Sequence, residues 1–184
     1  MCVVGAINNY TNALEDSSSP YDPTESLMFL AHFVGDVHQP LHCGHVKDLG
    51  GNTIIVHWYT RKSNLHHVWD VNVIETALKE FYNEDVSTMI KAIKTNITDE
   101  WSNEEKQWET CRSRTKTCAD KYAEESAKLA CKAYEDDYFF AALPVVQKRI
   151  AQGGVRLAAI LNRIFSGNKA EVKLQPKQSN RYIG

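Results

Sequence analysis

The sequence predicts a mainly α-helical single domain that carries one small β-hairpin. Three observations predict it. Apolar residues recur at steps of three, four and seven along the last long segment, one short run alternates apolar and polar, and the 184 residues contain no internal repeat or convincing domain boundary. A hydrophobic fraction of 43% with 24% charged residues excludes a disordered or low-complexity chain. No run of 18 or more apolar residues offers a membrane span. The net charge of -2 excludes a broadly basic nucleic-acid binder. An acidic chain that meets phosphates must draw positive charge from another source, and a metal cluster is the obvious one.

Taken in order, Met1 to Tyr10 reads as a helix entered midway. It has neither a basic stretch nor a long apolar stretch, so no signal peptide is visible. Asp22-Pro23-Thr24-Glu25 is a helix start: Asp22 caps, Pro23 suits the first helical position and Glu25 stands where a capping box places its acid. The helix continues through Leu27, Met28, Phe29, Leu30, Phe33, Val34 and Val37, apolar nearly all round like a central buried helix, until Pro40 ends it. Gly50-Gly51 and the strand-like Thr53 to Tyr59 follow, with Ile54, Val56 and Trp58 on one face, and a hairpin is expected from about Leu41 to Tyr59. A second helix starts near Ser63 or Asn64 and runs to about Phe81, and a third covers roughly Glu84 to Asn96. A charged, cysteine-containing region spans about Asp99 to Tyr134. The last helix, about Asp137 to Phe165, carries the stripe Phe139, Leu143, Val146, Ile150, Leu157, Leu161 and Ile164. Gly153-Gly154 interrupts that stripe and permits close approach of another helix. Residues 1–166 form the domain, and 167–184 are expected to be a loose polar tail.

Histidine is concentrated. All seven lie between His32 and His67, and two tetrads share one spacing: His32 with Asp36, and His66 with Asp70. On a helix that gap puts both side chains on one face, about 5–6 Å apart at Cβ. Continuing each face through Met28 and Phe29, or through Val73 and Ala77, turns both pairs inward. One buried His/Asp pair is more often a hydrogen-bonded structural unit. Two pairs, with His42 just beyond the first helix, favour a divalent cation, which compensates carboxylates facing a core. Imidazole nitrogen with carboxylate oxygen is a good ligand set for zinc.

Five cysteines, Cys2, Cys43, Cys111, Cys118 and Cys131, leave at least one without an internal partner. Cys111 and Cys118 are close enough to close a small loop, which suits a secreted protein. The triplets Asn9-Tyr10-Thr11 and Asn96-Ile97-Thr98 are glycosylation sequons that agree with that compartment.

The run HFVGDVHQPLH, then GGNTIIVHWY and RKSNLHHVWD, resembles the zinc-dependent single-strand-specific nucleases of plants and fungi, nearest to the plant bifunctional nucleases. The resemblance extends from CVVGAINNYT to AQGGVRLAAILNRIF. It implies a secreted, glycosylated helical fold, related to zinc phospholipase C, with three zinc ions. It also implies an endonuclease that cuts RNA and single-stranded DNA to 5′-nucleotides through attack by zinc-bound hydroxide, and that has 3′-nucleotidase activity. Carried over by motif, His32 and Asp36 serve one zinc, with Asp36 bridging to a second, and His42, His66 and Asp70 hold the third. Other family ligands precede these motifs and have no counterpart here. The chain is therefore expected to be N-terminally truncated, to hold about one zinc firmly and to be a poor nuclease alone. A non-catalytic relative with one structural zinc, and a phospholipase C-like phosphodiesterase, are the rival readings.

Other residues carry two readings each. His57 and His67 are structural or support the ligands, and His38 and His45 have surface or hydrogen-bonding roles. Cys43 stands where the related plant pattern has an aliphatic residue, as a small apolar substitute or else a stray metal ligand. Arg61, Lys62 and Asn64 meet a phosphate or form a solvated helix entry. Trp58 and Tyr59 stack on a base or pack.

Overall fold

Val3–Glu15 forms α1 in the computed structural model, which describes residues 2–111, 117–134 and 138–166. In α2 (Pro23–Asp36) the Asp22 carboxylate accepts from the Glu25 N–H at 2.9 Å, satisfying one of the free amides at the helix start. The helix stops at Asp36, four residues ahead of Pro40. It is not buried all round. Ser26, Leu30 and Val34 form its buried stripe, whereas Met28 is 68% exposed, because the packing helices cover only part of its surface. Tyr10 of α1 stacks on Phe29 and Phe33.

The hairpin differs from expectation. Leu41 lies in a 3-10 turn, Pro40–Cys43, and the paired strands are β1 (Ile55–Trp58) and β2 (Arg61–Asn64). They run antiparallel from Ile55 opposite Asn64 to Trp58 opposite Arg61. Tyr59 turns the chain at φ 53°, the positive value that a two-residue hairpin turn uses. The sequence Arg-Lys-Ser-Asn has no apolar alternation, so β2 is invisible to hydrophobic patterning. On β1, Val56 and Trp58 pack inward while Ile55 and His57 face solvent.

The second expected helix is three pieces end to end: α3 (Leu65–His67), a π turn (Val68–Asn72) and α4 (Val73–Phe81). Next come α5 (Val86–Thr98), started by the Asp85 cap, and α6 (Ser102–Glu109). Then follow α7 (Ala119–Ala130), a 3-10 turn (Cys131–Tyr134) and α8 (Tyr138–Ser166). The tail expected at 167–184 lies outside the described residues. At 29 residues, α8 is about 44 Å long and serves three apolar clusters in turn. Ile160 and Ile164 meet Ile7, Leu30, Val34 and Tyr122; Ala142 and Val146 meet Leu65, Val68, Trp69 and Val73; Ala151 meets Met89, Ile93 and Trp108.

The buried stripe of α8 does not follow the expected apolar residues throughout. Ile150 is 40% exposed, and the buried positions near it are Arg149 and Arg156, at 3% and 0%. Their charge is compensated by α7. Glu125 accepts from Arg149 at 3.0 Å and from Arg156 at 2.7 Å. Burial pushes the Glu125 carboxyl up, but hydrogen bonding and charge from Arg156, then Arg149, outweigh burial and hold it below its usual range. Arg156 also lies over the Tyr122 ring, 4.3 Å from its centroid.

His38 completes this network. Its Nδ1–H donates to the Val34 carbonyl at 2.6 Å, which leaves Nε2 to accept from Arg156 at 2.9 Å. Burial, then the charge of Arg149, pushes the imidazole down to about 3. Gly153 places its Cα against the His38 ring, where an added Cβ would lie 3.5 Å from Cγ, so it approaches a side chain rather than a second helix backbone, whereas a Cβ added at Gly154 would meet nothing within 4 Å.

Two outcomes are expected from this core. Glu125→Leu leaves two buried guanidinium groups without their carboxylate and is expected to lower unfolding free energy by about 3–5 kcal/mol in urea denaturation. His38 stays neutral when folded but titrates at 6.5 when unfolded, so its contribution is present above pH 6.5 and is lost as pH falls toward 3. Stability should therefore fall by up to about 1.4 kcal/mol per pH unit across that window. His38→Gln, which keeps an acceptor for Arg156, is expected to flatten the slope.

Candidate metal centre

Three short backbone features bring the candidate ligands together. The turn after α2 leads through Pro40 into the 3-10 turn that carries His42. Asn64 ends β2 and starts α3 by accepting from the His67 N–H at 2.8 Å, which sets His66 on the first helical turn. The π turn then carries Asp70, and π turns recur at functional sites. His66 Nε2 lies 3.1 Å from Asp70 Oδ2, and His42 Nε2 lies 3.2 Å from Asp70 Oδ1. The two imidazoles stack at 5.0 Å between centroids and 14° between planes. One ligand atom from each of His42, His66 and Asp70 lies within 4.8 Å of the other two.

His66 is oriented from behind. Its Nδ1–H donates to the Gly50 carbonyl at 2.9 Å, so Nε2 carries the lone pair that faces Asp70. Gly50 has φ 63°, and an added Cβ would stand 2.4 Å from the Leu41 carbonyl oxygen, so both conformation and space demand glycine there. A hydrogen bond to Asp70, opposed by burial and aided by the charges of Asp70 and Asp36, raises the His42 imidazole above its usual value. Burial pushes the Asp70 carboxyl up, but bonds from His42 and Gln39 and the neighbouring imidazole charges bring it net below the ordinary range.

His32 and Asp36 form a second pair, with His32 Nε2 3.1 Å from Asp36 Oδ2. The expected inward direction does not hold for His32, whose side chain is 67% exposed against 21% for His66, whereas Asp36 is as sheltered as Asp70, both at 32%. Asp36 connects the two groups, its Oδ1 lying 3.4 Å from His42 Nδ1. The site faces a cavity of about 720 Å³ whose lining includes Asp36, His42, His66 and Phe33. A polar recess of about 550 Å³ on another side is lined by Lys62, Ser63, Asn64, His66, His67 and Asp70.

The remaining candidates separate clearly. Lys62 lines the recess, Asn64 is the helix cap, and Arg61 is exposed on β2 away from that recess. Trp58 donates from Nε1 to Thr76 at 3.1 Å and packs beside Phe139, whereas Tyr59 is 71% exposed. His45, His57 and His67 are exposed, and His38 is the buried hydrogen-bonding residue described above. Cys43 packs against the first apolar cluster, and Cys2 and Cys131 are exposed thiols. A disulfide joins Cys111 to Cys118. Asn9 and Asn96 are partly buried positions within α1 and α5.

Sequence reasoning passed over two residues that serve the site: Gln39, which donates to Asp70 at 2.6 Å, and Gly50 through its carbonyl. The signal for Gly50 was present in the Gly-Gly pair. For Gln39 it was the polar amide directly before a proline and within the histidine motif.

Comparison with known proteins bears on this geometry. The S1/P1 nuclease family model matches residues 1–166. Endonuclease 4 and endonuclease 2 of Arabidopsis thaliana are 54% and 53% identical to this chain, over 181 and 180 residues. These alignments cover 90% and 89% of this chain and 60% and 62% of those proteins. Nuclease S1 of Aspergillus oryzae is 30% identical over 181 residues, covering 90% of this chain and 63% of that protein. The chain thus spans about 60% of the length of the curated relatives it matches.

Gly50→Ala forces a positive φ on a residue with a side chain and displaces the Leu41 carbonyl. It is expected to cost about 1–3 kcal/mol in chemical denaturation. It should also move the His66 ring resonances in an NMR spectrum, and an unshifted His66 would mean that the Gly50 carbonyl does not orient it.

Proposed function

Because the chain belongs to the S1/P1 nuclease family, we propose that it is part of a zinc-dependent phosphodiesterase acting on RNA and single-stranded DNA, with His42, His66 and Asp70 as the zinc ligands. The observation that carries this reading is the convergence of those three ligand atoms within 4.8 Å. The donor set fits zinc: two imidazoles and one carboxylate are three protein ligands of the right type, and one imidazole is held from behind by a carbonyl. Zinc bound there supplies Lewis-acid polarisation of a phosphoryl oxygen and acidifies a bound water. Asp36 with His32 is a further partial ligand set, and its two protein ligands retain an ion less firmly than three.

The protein's own groups take the other roles. Gly50 and Gln39 hold the ligands in orientation, and Lys62, in the recess beside Asp70, offers a cation to a phosphate. Hydrolysis to 5′-nucleotides breaks the P–O3′ bond: the oxygen of water goes to phosphorus, the phosphate stays on the 5′-oxygen of the downstream fragment, and the upstream fragment leaves with a 3′-hydroxyl. The same chemistry at a terminal 3′-phosphate is the nucleotidase reaction. The Cys111–Cys118 disulfide supports a secreted or endomembrane setting, whereas the sequon asparagines Asn9 and Asn96 sit partly buried within helices and add no support of their own. No described helix is long and apolar enough to cross a membrane.

Zinc titration by calorimetry is expected to give one tight site per chain, strongly weakened but still measurable when Asp70 is replaced and only His42 and His66 remain; three tight ions would overturn the single-site reading. Zinc at about 1,000 times its dissociation constant should stabilise the fold by about 4 kcal/mol, reversed by chelation. The zinc-loaded chain is expected to hydrolyse single-stranded DNA and RNA slowly, in preference to duplex DNA and to a phosphatidylcholine emulsion. A rate equal to buffer with zinc bound and the fold intact would assign the ion a structural role. Preference for the lipid would assign the chemistry to a phospholipase.

A further inference from the structure

Gln39 stands directly before Pro40, with φ -82° and ψ 118°, in the extended conformation that a following proline imposes. Proline has no N–H, so Leu41 supplies the first free amide of the 3-10 turn, and that amide donates to Gln39 Oε1. A backbone N–H can only donate, so the carbonyl end of the Gln39 side chain is fixed toward Leu41. The Nε2 end is then left facing Asp70, with no freedom to exchange the two ends. Nε2 donates to Asp70 Oδ1 at 2.6 Å, a short bond to a charged acceptor.

The backbone behind Gln39 is equally constrained. The Ser126 hydroxyl donates to the Val37 carbonyl, and Arg149 Nε donates to the His38 carbonyl at 3.1 Å. The Gln39 N–H itself donates to the Asp36 carbonyl at 3.0 Å. The amide group therefore reaches Asp70 from a turn that α7 and α8 hold on the side away from the site. Asp70 lies 31 residues further along the chain, on the π turn, so this bond ties the element carrying His42 to the element carrying Asp70.

We propose that Gln39 is a positioning residue for metal binding: by holding Asp70 through Oδ1, it presents Oδ2, the oxygen beside His66 Nε2, as the single ligand oxygen. This rests on the reading of His42, His66 and Asp70 as zinc ligands. Without the amide, the carboxylate is free to rotate or to bind through both oxygens. Removal of such an orienting partner weakens metal affinity by roughly ten- to a hundred-fold.

The test is a double-mutant cycle read by zinc affinity and by the visible spectrum of the cobalt-loaded chain. Gln39→Met, of similar length but with no donor, is expected to weaken zinc binding by roughly ten- to a hundred-fold. In an Asp70→Ala background the same change should shift affinity by less than about twofold, since the group it acts through is gone. The cobalt bands of Gln39→Met should weaken as the carboxylate takes up a second oxygen contact. A natural chain that takes up no zinc overturns the metal reading and this inference with it. A natural chain that binds, with Gln39→Met binding equally tightly, overturns the positioning role alone. An equal loss in both backgrounds reduces Gln39 to a cap for Leu41 and also overturns it. Should Gln39→Met not fold, the side-chain amide resonances of Gln39 are read in Asp70→Ala, which removes the acceptor: a shift with faster exchange supports the bond, and unchanged resonances refute it.

Discussion

Two arginines buried side by side on one helix set the main constraint in this protein. Arg149 and Arg156 are compensated in the interior by Glu125 from α7, which meets both, by a neutral ring nitrogen of His38 for Arg156, and by the Tyr122 carbonyl, Ser126 and Gln152 for Arg149. Such groups have strict geometric needs, since an unmatched guanidinium in a low-dielectric interior costs several kcal/mol. Meeting those needs fixes the turn after α2, because Arg149 also holds the His38 carbonyl and Ser126 the Val37 carbonyl. That turn delivers Gln39 and then His42. A charge network remote from the ligand atoms thus determines where one of them stands.

The candidate site faces the opposite problem, an excess of carboxylate. Asp36 and Asp70 both approach His42, which consequently favours its protonated form. A cation placed among these groups answers the same electrostatic demand as a proton on His42. On the functional reading advanced above, it also resolves how a chain of net charge -2 could bind an anionic phosphodiester. The charge that attracts substrate would be local to the ligands, with Lys62 as its nearest basic supplement in the recess.

The site was legible where periodicity and chemistry coincide. The i, i+4 spacing put His66 beside Asp70 and His32 beside Asp36, and both pairs meet at 3.1 Å. Spacing could not say how exposed each pair is, and His32 faces solvent because exposure depends on which helices cover that part of α2. It could not reveal the π turn either, since its residues read as ordinary helix. The strand β2 escaped notice because it is polar throughout and is identified by its partner's hydrogen bonds rather than by any pattern of its own.

By itself the sequence determined the helical character of the chain, the Asp22 cap, the punctuation at Gly50-Gly51 and the residue types able to ligate a metal. Each of these follows from local rules: a repeat of 3.6 residues, a side chain reaching its own backbone, a residue without Cβ where φ is positive. Tertiary structure alone decided which residues complete the buried stripe of α8, where arginines stand in place of Ile150, and that the turn after α2 supplies both the third ligand, His42, and the amide that orients Asp70. Those outcomes depend on partners 23 to 118 residues away, such as Ser126 for Arg149 and His38 for Arg156. Whether a charged or amide side chain can be buried is set by the groups it meets there, and local sequence carries no record of them.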